Sequence, residues 1–342
     1  MSIELPVLRL GLAGFGVEQK AALHAMLQRS APGRHAWQIG SFTDADAWWI
    51  HGARSQLAGG QTIRITPAIP SERSLQINLE EADRPMAFST PLAFTPIEPH
   101  YSFDPASLSS VNQVLEKFES WLQPVAAQFS LAGRILEHES VLGSGTYHVM
   151  INQRLLAVVD MHGEVGVIPS AGPADFDDAM WVRQPGASEI PEAFVRASLS
   201  ELMWQYAVRT TRDVLPQRYR ARTLYFRRAP RIAQRLLSDS HLLVIRELAA
   251  GSANFMELQQ RTGMGADALA RVLAALYLVG TVTSDPKRAS VITAAVRTPE
   301  PEPSQGIQHS IIPSGMDSET ASQTGRRFGL ADFTVAMPIG PL

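Results

Sequence analysis

Apolar residues follow two different periods in the first 122 residues. The short apolar runs VLRLGLAGF, AWWIHG and QTIRITP predict strands, and VEQKAALHAMLQRS, between the first two, predicts a helix. A further helix is predicted over SLSSVNQVLEKFESWL, where apolar residues recur about every 3.6 residues. These residues are Val111, Val114, Leu115, Phe118 and Leu122. Strands that alternate with helices indicate an α/β domain with a parallel sheet.

The next hundred residues show strands that follow one another closely. TYHVMI, RLLAVVD and EVGVIP are joined by short connections at Asn152-Gln153 and His162-Gly163, which predicts antiparallel hairpins. A helix is predicted over PEAFVRASLSELMWQYAVRT, with Pro191 in its first turn. Its apolar stripe consists of Val195, Leu199, Leu202, Met203 and Tyr206. This pattern is typical of a small α+β domain.

The third part of the chain is mostly helical. Three helical stretches lie between residues 229 and 288, and Asn254 with Glu257 predicts a capping box at the start of the second. Gly280 predicts the end of the long helix DALARVLAALYLV. Beyond it the chain turns to Pro, Ser, Thr, Gln and Gly, a composition that cannot bury enough apolar surface to fold.

These patterns divide the chain into four parts. We predict an α/β domain over 1–123, a small α+β domain over 124–228, a mostly helical domain over 229–288 and a disordered tail over 289–342. The proline-rich stretch from Pro67 to Pro105 predicts a long excursion inside the first domain. The apolar end of the tail, RRFGLADFTVAMPIGPL, is a candidate docking motif.

Composition excludes several kinds of chemistry. The chain has no cysteine, which removes disulfides, thiolate zinc sites, iron–sulfur clusters and cysteine nucleophiles, and fits a reducing compartment. The longest apolar stretch, VLAALYLVGTV, is shorter than the about 18 residues that a membrane span needs, and the start of the chain has no basic region before an apolar core. We therefore expect a cytoplasmic protein that does not enter the membrane. The net charge of −3 leaves room for local charge clusters.

The end of the first domain, HYSFDPASLSSVNQVLEKFESWL, resembles the end of a response-regulator receiver domain. Tyr101 takes the place of the family's lysine, and Phe103, Asp104 and Pro105 continue the match. Receiver phosphotransfer needs an aspartate nucleophile and carboxylates that hold a divalent ion, but the matching positions here fall on Gly16 and near His51. The resemblance therefore implies a pseudo-receiver, a bacterial-type signalling fold that is kept for contacts.

Residues 240–288 resemble a winged helix. The match rests on Leu258, Gly263, Leu269, Leu273, Leu276, Gly280 and Val282, with TSDPKR as the tip of the wing. A helix that reads DNA needs polar side chains on its first turns, whereas this one offers Gly265, Ala266, Asp267 and Ala268. The candidate DNA contacts are Arg271, Lys287 and Arg288. Contacts with proteins are the preferred interpretation, and a transcription regulator that binds DNA is the alternative.

A dense arginine run crosses the boundary between the second and third domains. Nine arginines and one acid, Asp213, lie between Arg209 and Arg235. As a strand, RYRARTLYF places three arginines on one face, and a helix that begins at Pro230 places two more one turn apart. The candidate anion-binding residues are Arg218, Arg220, Arg222, Arg227, Arg228, Arg231 and Arg235.

The ligand class suggested by these arginines is a phosphate-bearing molecule. Guanidinium groups bind phosphates bidentately, as a cyclic dinucleotide or a nucleic-acid backbone presents them. In the alternative interpretation the arginines lie on a solvated surface or bridge domains by pairing with acids. The candidate acids are Asp175, Asp177, Asp178 and Glu192.

No catalytic constellation emerges from the sequence. In GLAGFGVEQK, Gly14 and Gly16 fit the first two places of a dinucleotide-binding fingerprint, but Gln19 holds the third. His138 and His148 belong to no metal-binding motif. We therefore predict no catalytic residue, metal or cofactor, and a nucleotide-dependent enzyme is a second alternative. The sequence favours a non-enzymatic regulatory adaptor that binds partner proteins and, at the arginine-rich junction, an anionic ligand.

Overall fold

The computed structural model describes residues 4–30, 36–70, 73–93 and 101–290, which form a mixed α/β structure with a parallel sheet. Its first part carries eight strands and two helices in the described ranges. In chain order they are β1 (Val7–Ala13), α1 (Val17–Arg29), β2 (Ala36–Gly40), β3 (Ala47–His51), β4 (Ser55–Gly59), β5 (Thr62–Ile65), β6 (Leu75–Asn78), β7 (Met86–Ser89), β8 (Tyr101–Phe103) and α2 (Leu108–Trp121). None of the described helices has the length and apolar character to cross a membrane.

Five strands form the predicted parallel sheet, in the order β2-β1-β3-β7-β8. Its three central strands, β1, β3 and β7, are apolar and largely buried, as parallel strands covered on both faces must be. Helices α1 and α2 cover one face, where Leu10, Trp49 and Phe103 of the sheet pack with Leu23 and Phe118 of the helices.

A three-stranded antiparallel sheet, β4-β5-β6, covers the other face. Ile63, Ile65 and Ile77 pack there against Ile50 and Phe88 of the parallel sheet. The predicted excursion is therefore displaced. The excursion begins directly after β3 and ends before β7. Alternate residues of its strands β5 and β6 bury an apolar face against the parallel sheet. Residues 94–100 lie outside the described ranges.

The second part is built on an antiparallel sheet. Its elements are α3 (Gln123–Glu137), β9 (Thr146–Ile151), β10 (Arg154–Asp160), β11 (Glu164–Val167), α4 (Pro173–Asp177), β12 (Met180–Gln184), β13 (Val195–Ser198), α5 (Leu199–Arg209), α6 (Arg218–Ala221) and β14 (Tyr225–Phe226). The sheet order is β12-β9-β10-β11-β13, and α3 and α5 pack on it through residues such as Phe129, Leu131 and Tyr206.

The helix predicted from Pro191 begins later. Residues 195–198 pair with β11 instead, and the helix α5 starts at Leu199. Ser198 caps it, because the Ser198 side chain accepts a hydrogen bond of 3.2 Å from the Glu201 amide. Ser198 therefore ends the strand β13 and caps the helix α5, although the apolar period of this stretch predicts one continuous helix.

The third part contains α7 (Asp239–Ala250), α8 (Phe255–Thr262), α9 (Ala266–Leu278) and β15 (Val282–Thr283). The capping box of Asn254 and Glu257 is confirmed, with hydrogen bonds of 2.9 and 3.1 Å. Gly280 has φ +68°, the left-handed conformation that ends a helix. Of the tail predicted over 289–342, residues 291–342 lie outside the described residues, and so does the candidate docking motif at its end.

A small sheet and a shared core join the second and third parts. β14 pairs with β15, while Leu224, next to β14, exchanges backbone hydrogen bonds of 2.9 and 3.2 Å with Ala253. Trp204 of α5 and Leu224 lie in one hydrophobic core with Leu269 and Leu273 of α9. The predicted boundary near residue 228 therefore runs through a continuous core.

Candidate anion-binding cleft

Asp46, in the loop before β3, anchors the end of α5 to the first part of the chain. Its carboxylate accepts hydrogen bonds of 2.7 and 3.0 Å from the guanidinium of Arg209 and one of 2.8 Å from the amide of Arg9. The Arg209 and Asp46 side chains are only 11% and 9% exposed. This pairing assigns Arg209 a structural role, because its charge is already matched inside the fold.

Glu4 is a second acidic anchor for the same segment. It accepts hydrogen bonds from the hydroxyls of Tyr206 and Thr210 and from the amide of Thr211, and it lies 3.7 Å from Arg212. Burial, together with the Glu4 carboxylate, raises the pKa of Tyr206 to about 12. The chain that follows α5 is thereby fixed against β1.

A cleft of about 650 Å³ opens beside these anchors. Residues from all three parts of the chain line it, among them β1, the end of α5, the start of α7 and the first turns of α9. Four arginines contribute to its wall: Arg9, Arg212, Arg220 and Arg271. The volume falls within the range of about 300–1,000 Å³ that small-molecule sites occupy.

Two of these four arginines make ion pairs and two do not. Arg212 lies 3.1 Å from Glu137 and Arg220 lies 2.7 Å from Asp213. Arg9 donates a hydrogen bond of 3.0 Å to the carbonyl of Val208, and Arg271 donates one to the carbonyl of Asp267 within its own helix. Neither has an ion-pair partner among the described carboxylates.

The side chain of Arg9 is held in an environment that disfavours its charge. Burial lowers the pKa of Arg9, as does the nearby Arg209, whereas the carboxylates of Asp46 and Asp44 raise it and Arg271 adds the smallest lowering effect. An anion placed between Arg9 and Arg271 would therefore meet two guanidinium groups whose charges the described protein leaves partly uncompensated.

His241 of α7 forms part of the cleft wall and is 8% exposed. Burial, and secondly the charge of Arg9, lower the pKa of His241 to about 4. Its Nδ1 lies 2.6 Å from the Ser238 hydroxyl, and its ring lies 4.5 Å from that of Trp204. The serine and histidine belong to the capping box of α7, in which the neutral imidazole is the form that can accept a hydrogen bond.

The structure corrects both conformations predicted for the arginine run. Residues 218–221 form the short helix α6 and not a strand, so Arg218, Arg220 and Arg222 do not share the face of a strand. Arg218 packs over the rings of Tyr219 and Tyr277, at 5.5 and 5.8 Å, and these aromatic contacts favour the helical turn.

The helix predicted from Pro230 is also wrong. Residues 230–237 are irregular apart from a 3-10 turn over Gln234–Leu236, so Arg231 and Arg235 do not lie one helical turn apart. Leu236 and Leu237 pack on the hydrophobic core, and this tertiary contact fixes the segment without helical hydrogen bonds.

Pairing with acids accounts for a part of the run, as the alternative interpretation expects. The acids are different ones, however: Arg209, Arg212 and Arg220 pair with Asp46, Glu137 and Asp213. Asp177 pairs with Arg134 of α3. Arg222, Arg227, Arg228, Arg231 and Arg235 are exposed and make no ion pair within the described residues.

The three predicted DNA contacts lie in two places. Arg271 lines the cleft, whereas Lys287 and Arg288 are exposed in a 3-10 turn after β15. The helix that carries Arg271 is largely buried, with Leu269, Ala270, Val272 and the four residues that follow them inside the core.

At the end of the parallel sheet where the sequence predicts a degenerate receiver site, protein side chains and backbone contact one another. Gln19 Oε1 accepts a hydrogen bond of 2.9 Å from the Gly16 amide, and Gln19 Nε2 lies 3.2 Å from His51 Nε2. Tyr101 lies level with Ala87, two residues before the end of its strand, and its ring packs near Phe118. Gly16 and His51 are therefore close together, while Tyr101 is not part of that edge. No group of three metal-ligating side chains occurs in the described part of the chain.

Comparisons with protein-family models, with curated proteins and with solved structures find no match to this chain. The functional argument therefore rests on the cleft itself. Sequence reasoning included Arg220 and Arg271 among its candidates but missed Arg9 and His241. The charged residue at position 9, inside the otherwise apolar run VLRLGLAGF, is the signal that could have identified Arg9.

Proposed function

We propose that this protein is a non-enzymatic regulatory adaptor that senses a phosphate-bearing, nucleotide-like ligand in the arginine-lined cleft. The observation that carries the proposal is the position of Arg9 and Arg271, which line one cleft from different parts of the chain without a described carboxylate partner. A ligand that bridges them changes how those parts are held together. Such a change is what an adaptor passes on to partner proteins.

The lining of the cleft favours phosphate over a carboxylate ligand of similar size. Arg220 and Arg212 add two further guanidinium groups, and Ser240 and Thr211 line the same space with hydroxyl groups. Asp213 and Asp267 also line it, so a ligand that carries amino groups or a purine edge has acceptors to meet. A nucleotide or cyclic dinucleotide combines these features within a volume of about 650 Å³.

The order of the parallel strands supports a receiver-like first domain. When the five strands of that sheet are numbered one to five along the chain, their order in space is 2-1-3-4-5. This is the strand order of flavodoxin-like doubly wound sheets. The edge where a receiver holds its acids carries Gly16, Gln19 and His51 in this chain. This supports a domain that acts through contacts and not through phosphotransfer.

The burial of α9 favours protein contacts over DNA reading for the winged-helix-like part. Three helices and the small sheet of β14 and β15 support that comparison of folds. However, Arg271 is the one basic side chain on α9, and it faces the cleft. A reading helix must present several polar groups to the major groove. Lys287 and Arg288 alone supply few phosphate contacts.

A thermal-shift panel tests the proposal. We expect a nucleotide or cyclic purine dinucleotide to raise the melting temperature of the full chain, and Arg271→Ala to remove the shift. Arg246→Ala is the matched control, since Arg246 is exposed on α7 outside the cleft. Duplex DNA forms the second arm: strong binding that weakens steeply with salt and is lost in Lys287→Ala/Arg288→Ala would favour the transcription-regulator alternative.

A further inference from the structure

A second group of arginines lies at the carboxyl end of α9, outside the cleft. The terminal nitrogens of Arg227 and Arg228 lie 3.5 and 3.1 Å from the point where a Cβ would stand on Gly280. The two nitrogens are therefore no more than about 7 Å from each other, a separation at which like charges repel. Both backbones are held in place, because their amides donate hydrogen bonds of 2.8 and 3.4 Å to the carbonyl of Thr281.

The charges of this group are not matched by described acids. Arg227, Arg228 and Arg231 are exposed and make no ion pair within the described residues. Burial lowers the pKa of Arg228, and the neighbouring Arg227 and Arg231 lower it further. The carbonyl groups at the end of α9 carry only a partial negative charge, which offsets a small part of this repulsion.

We propose that Arg227 and Arg228 form a second anion site, which binds one phosphate group above Gly280. A phosphate has oxygens on several sides, so it can accept hydrogen bonds from two guanidinium groups whose nitrogens stand about 7 Å apart or less. Arg231 adds a third positive charge beside Arg228. None of these three arginines lines the cleft, so this site is independent of the proposed function.

The absence of a side chain at Gly280 leaves space for the guanidinium groups of Arg227 and Arg228. Its φ of +68° favours glycine, and a Cβ there would approach the Arg228 guanidinium to 3.1 Å. Gly263 provides a matched comparison, because it also has φ +68° but no atom lies within 4 Å of its Cβ position. The positive φ disfavours alanine at both positions, and only the alanine at 280 would press against the arginine side chains.

Titration of the full chain with inorganic pyrophosphate, followed by calorimetry, tests the proposal. We expect Arg227→Ala/Arg228→Ala to weaken binding at this site by 10-fold or more, on the order of 1.4 kcal/mol or above. The control Arg64→Ala/Arg246→Ala removes the same net charge from exposed arginines elsewhere and should leave the affinity within about twofold. Gly280→Ala should weaken binding, and Gly263→Ala should not.

Other outcomes decide against the site. Equal losses in the two double variants would show a nonspecific charge effect and would overturn the proposal, as would the absence of pyrophosphate binding. Binding of duplex DNA alone would also overturn it and would assign these arginines to a polynucleotide backbone. Arg271→Ala separates the two sites, because it should weaken nucleotide binding in the cleft by about 10-fold or more and leave pyrophosphate binding above Gly280 unchanged.

Discussion

Arg209 and Asp46 join α5 to the loop before β3 through two hydrogen bonds of 2.7 and 3.0 Å, with both side chains nearly buried. The same carboxylate accepts the Arg9 amide at 2.8 Å. One acid therefore fixes the end of α5 and the strand that carries Arg9. Both elements line the cleft, so this pairing sets the geometry in which Arg9 meets a ligand.

Asp46→Asn should destabilise the fold by about 3–5 kcal/mol, because it leaves the buried Arg209 guanidinium without its counter-charge. Urea unfolding measures the effect. The control is Asp83→Asn, since the Asp83 side chain is 74% exposed and pairs with its neighbour Arg84 at the surface. That control should lose no more than about 1 kcal/mol. Equal losses in the two variants would contradict the anchoring role of Asp46.

Tyr206→Phe removes the hydroxyl that donates a 3.0 Å hydrogen bond to Glu4. We expect a loss of about 1–3 kcal/mol in the free energy of unfolding, because the partly buried Glu4 carboxylate loses a donor. Tyr225→Phe is the matched control, since the Tyr225 hydroxyl makes no hydrogen bond with a described residue. A Tyr206→Phe variant as stable as that control would show that Glu4 is held by its other donors alone.

Gly52→Ala should destabilise the fold by about 2 kcal/mol or more, because backbone oxygens oppose the added methyl group. A Cβ on Gly52 would stand 2.1 Å from the carbonyl oxygen of Ser89 and 2.8 Å from that of Pro91. Gly186→Ala, where no atom lies within 4 Å, is the comparison. Thermal unfolding of the two variants side by side measures the difference. A Gly52→Ala variant with the same melting temperature as the wild type would contradict the close packing at the ends of β3 and β7.

The buried His241 should make the folded chain less stable as the pH falls. Its pKa is lowered to about 4 in the folded chain, whereas an unfolded histidine titrates near about 6.5. The unfolded chain therefore binds more protons between these values, so the contribution of His241 is complete above about pH 6.5 and is lost as the pH falls toward 4. The expected loss is on the order of 2–3 kcal/mol.

Unfolding by urea at a series of pH values measures this contribution. His241→Gln keeps a side chain that can serve the capping box but cannot titrate, so its stability should depend less on pH in this window. His24→Gln is the control, because His24 is exposed on α1. An unchanged pH dependence in His241→Gln would contradict the burial of a neutral histidine in the cleft wall.

The hydrophobic pattern predicted the longest strands and all but one of the long helices, because these elements carry their period in the sequence, but it missed short strands such as β2, β7 and β8 of the parallel sheet. The parallel sheet, the hairpins of β9, β10 and β11 and the cap at Asn254 follow from it. The helix α3 was missed, and β13 was merged with α5, because pairing with β11 overrides the helical period over residues 195–198.

The cleft depends on tertiary structure that no local pattern contains. Arg9 and Arg271 are 262 positions apart in the chain and meet only because α9 packs beside α5 and α5 is held by Asp46. The arginine run marked the right region, yet local pattern could not show which of its side chains pair internally. Arg209 and Arg220 form ion pairs with acids, whereas Arg227 and Arg228 form none with the part of the chain that the structure describes.

Calorimetric titration of the full chain with a panel of nucleotides and cyclic purine dinucleotides tests the central claim most directly. The account predicts that a member of the panel binds the wild type and Arg246→Ala alike, and that Arg271→Ala weakens that binding by about 10-fold or more, as loss of a charged hydrogen bond implies. Binding that is the same in Arg271→Ala, or no binding of any member at millimolar concentration, would contradict it.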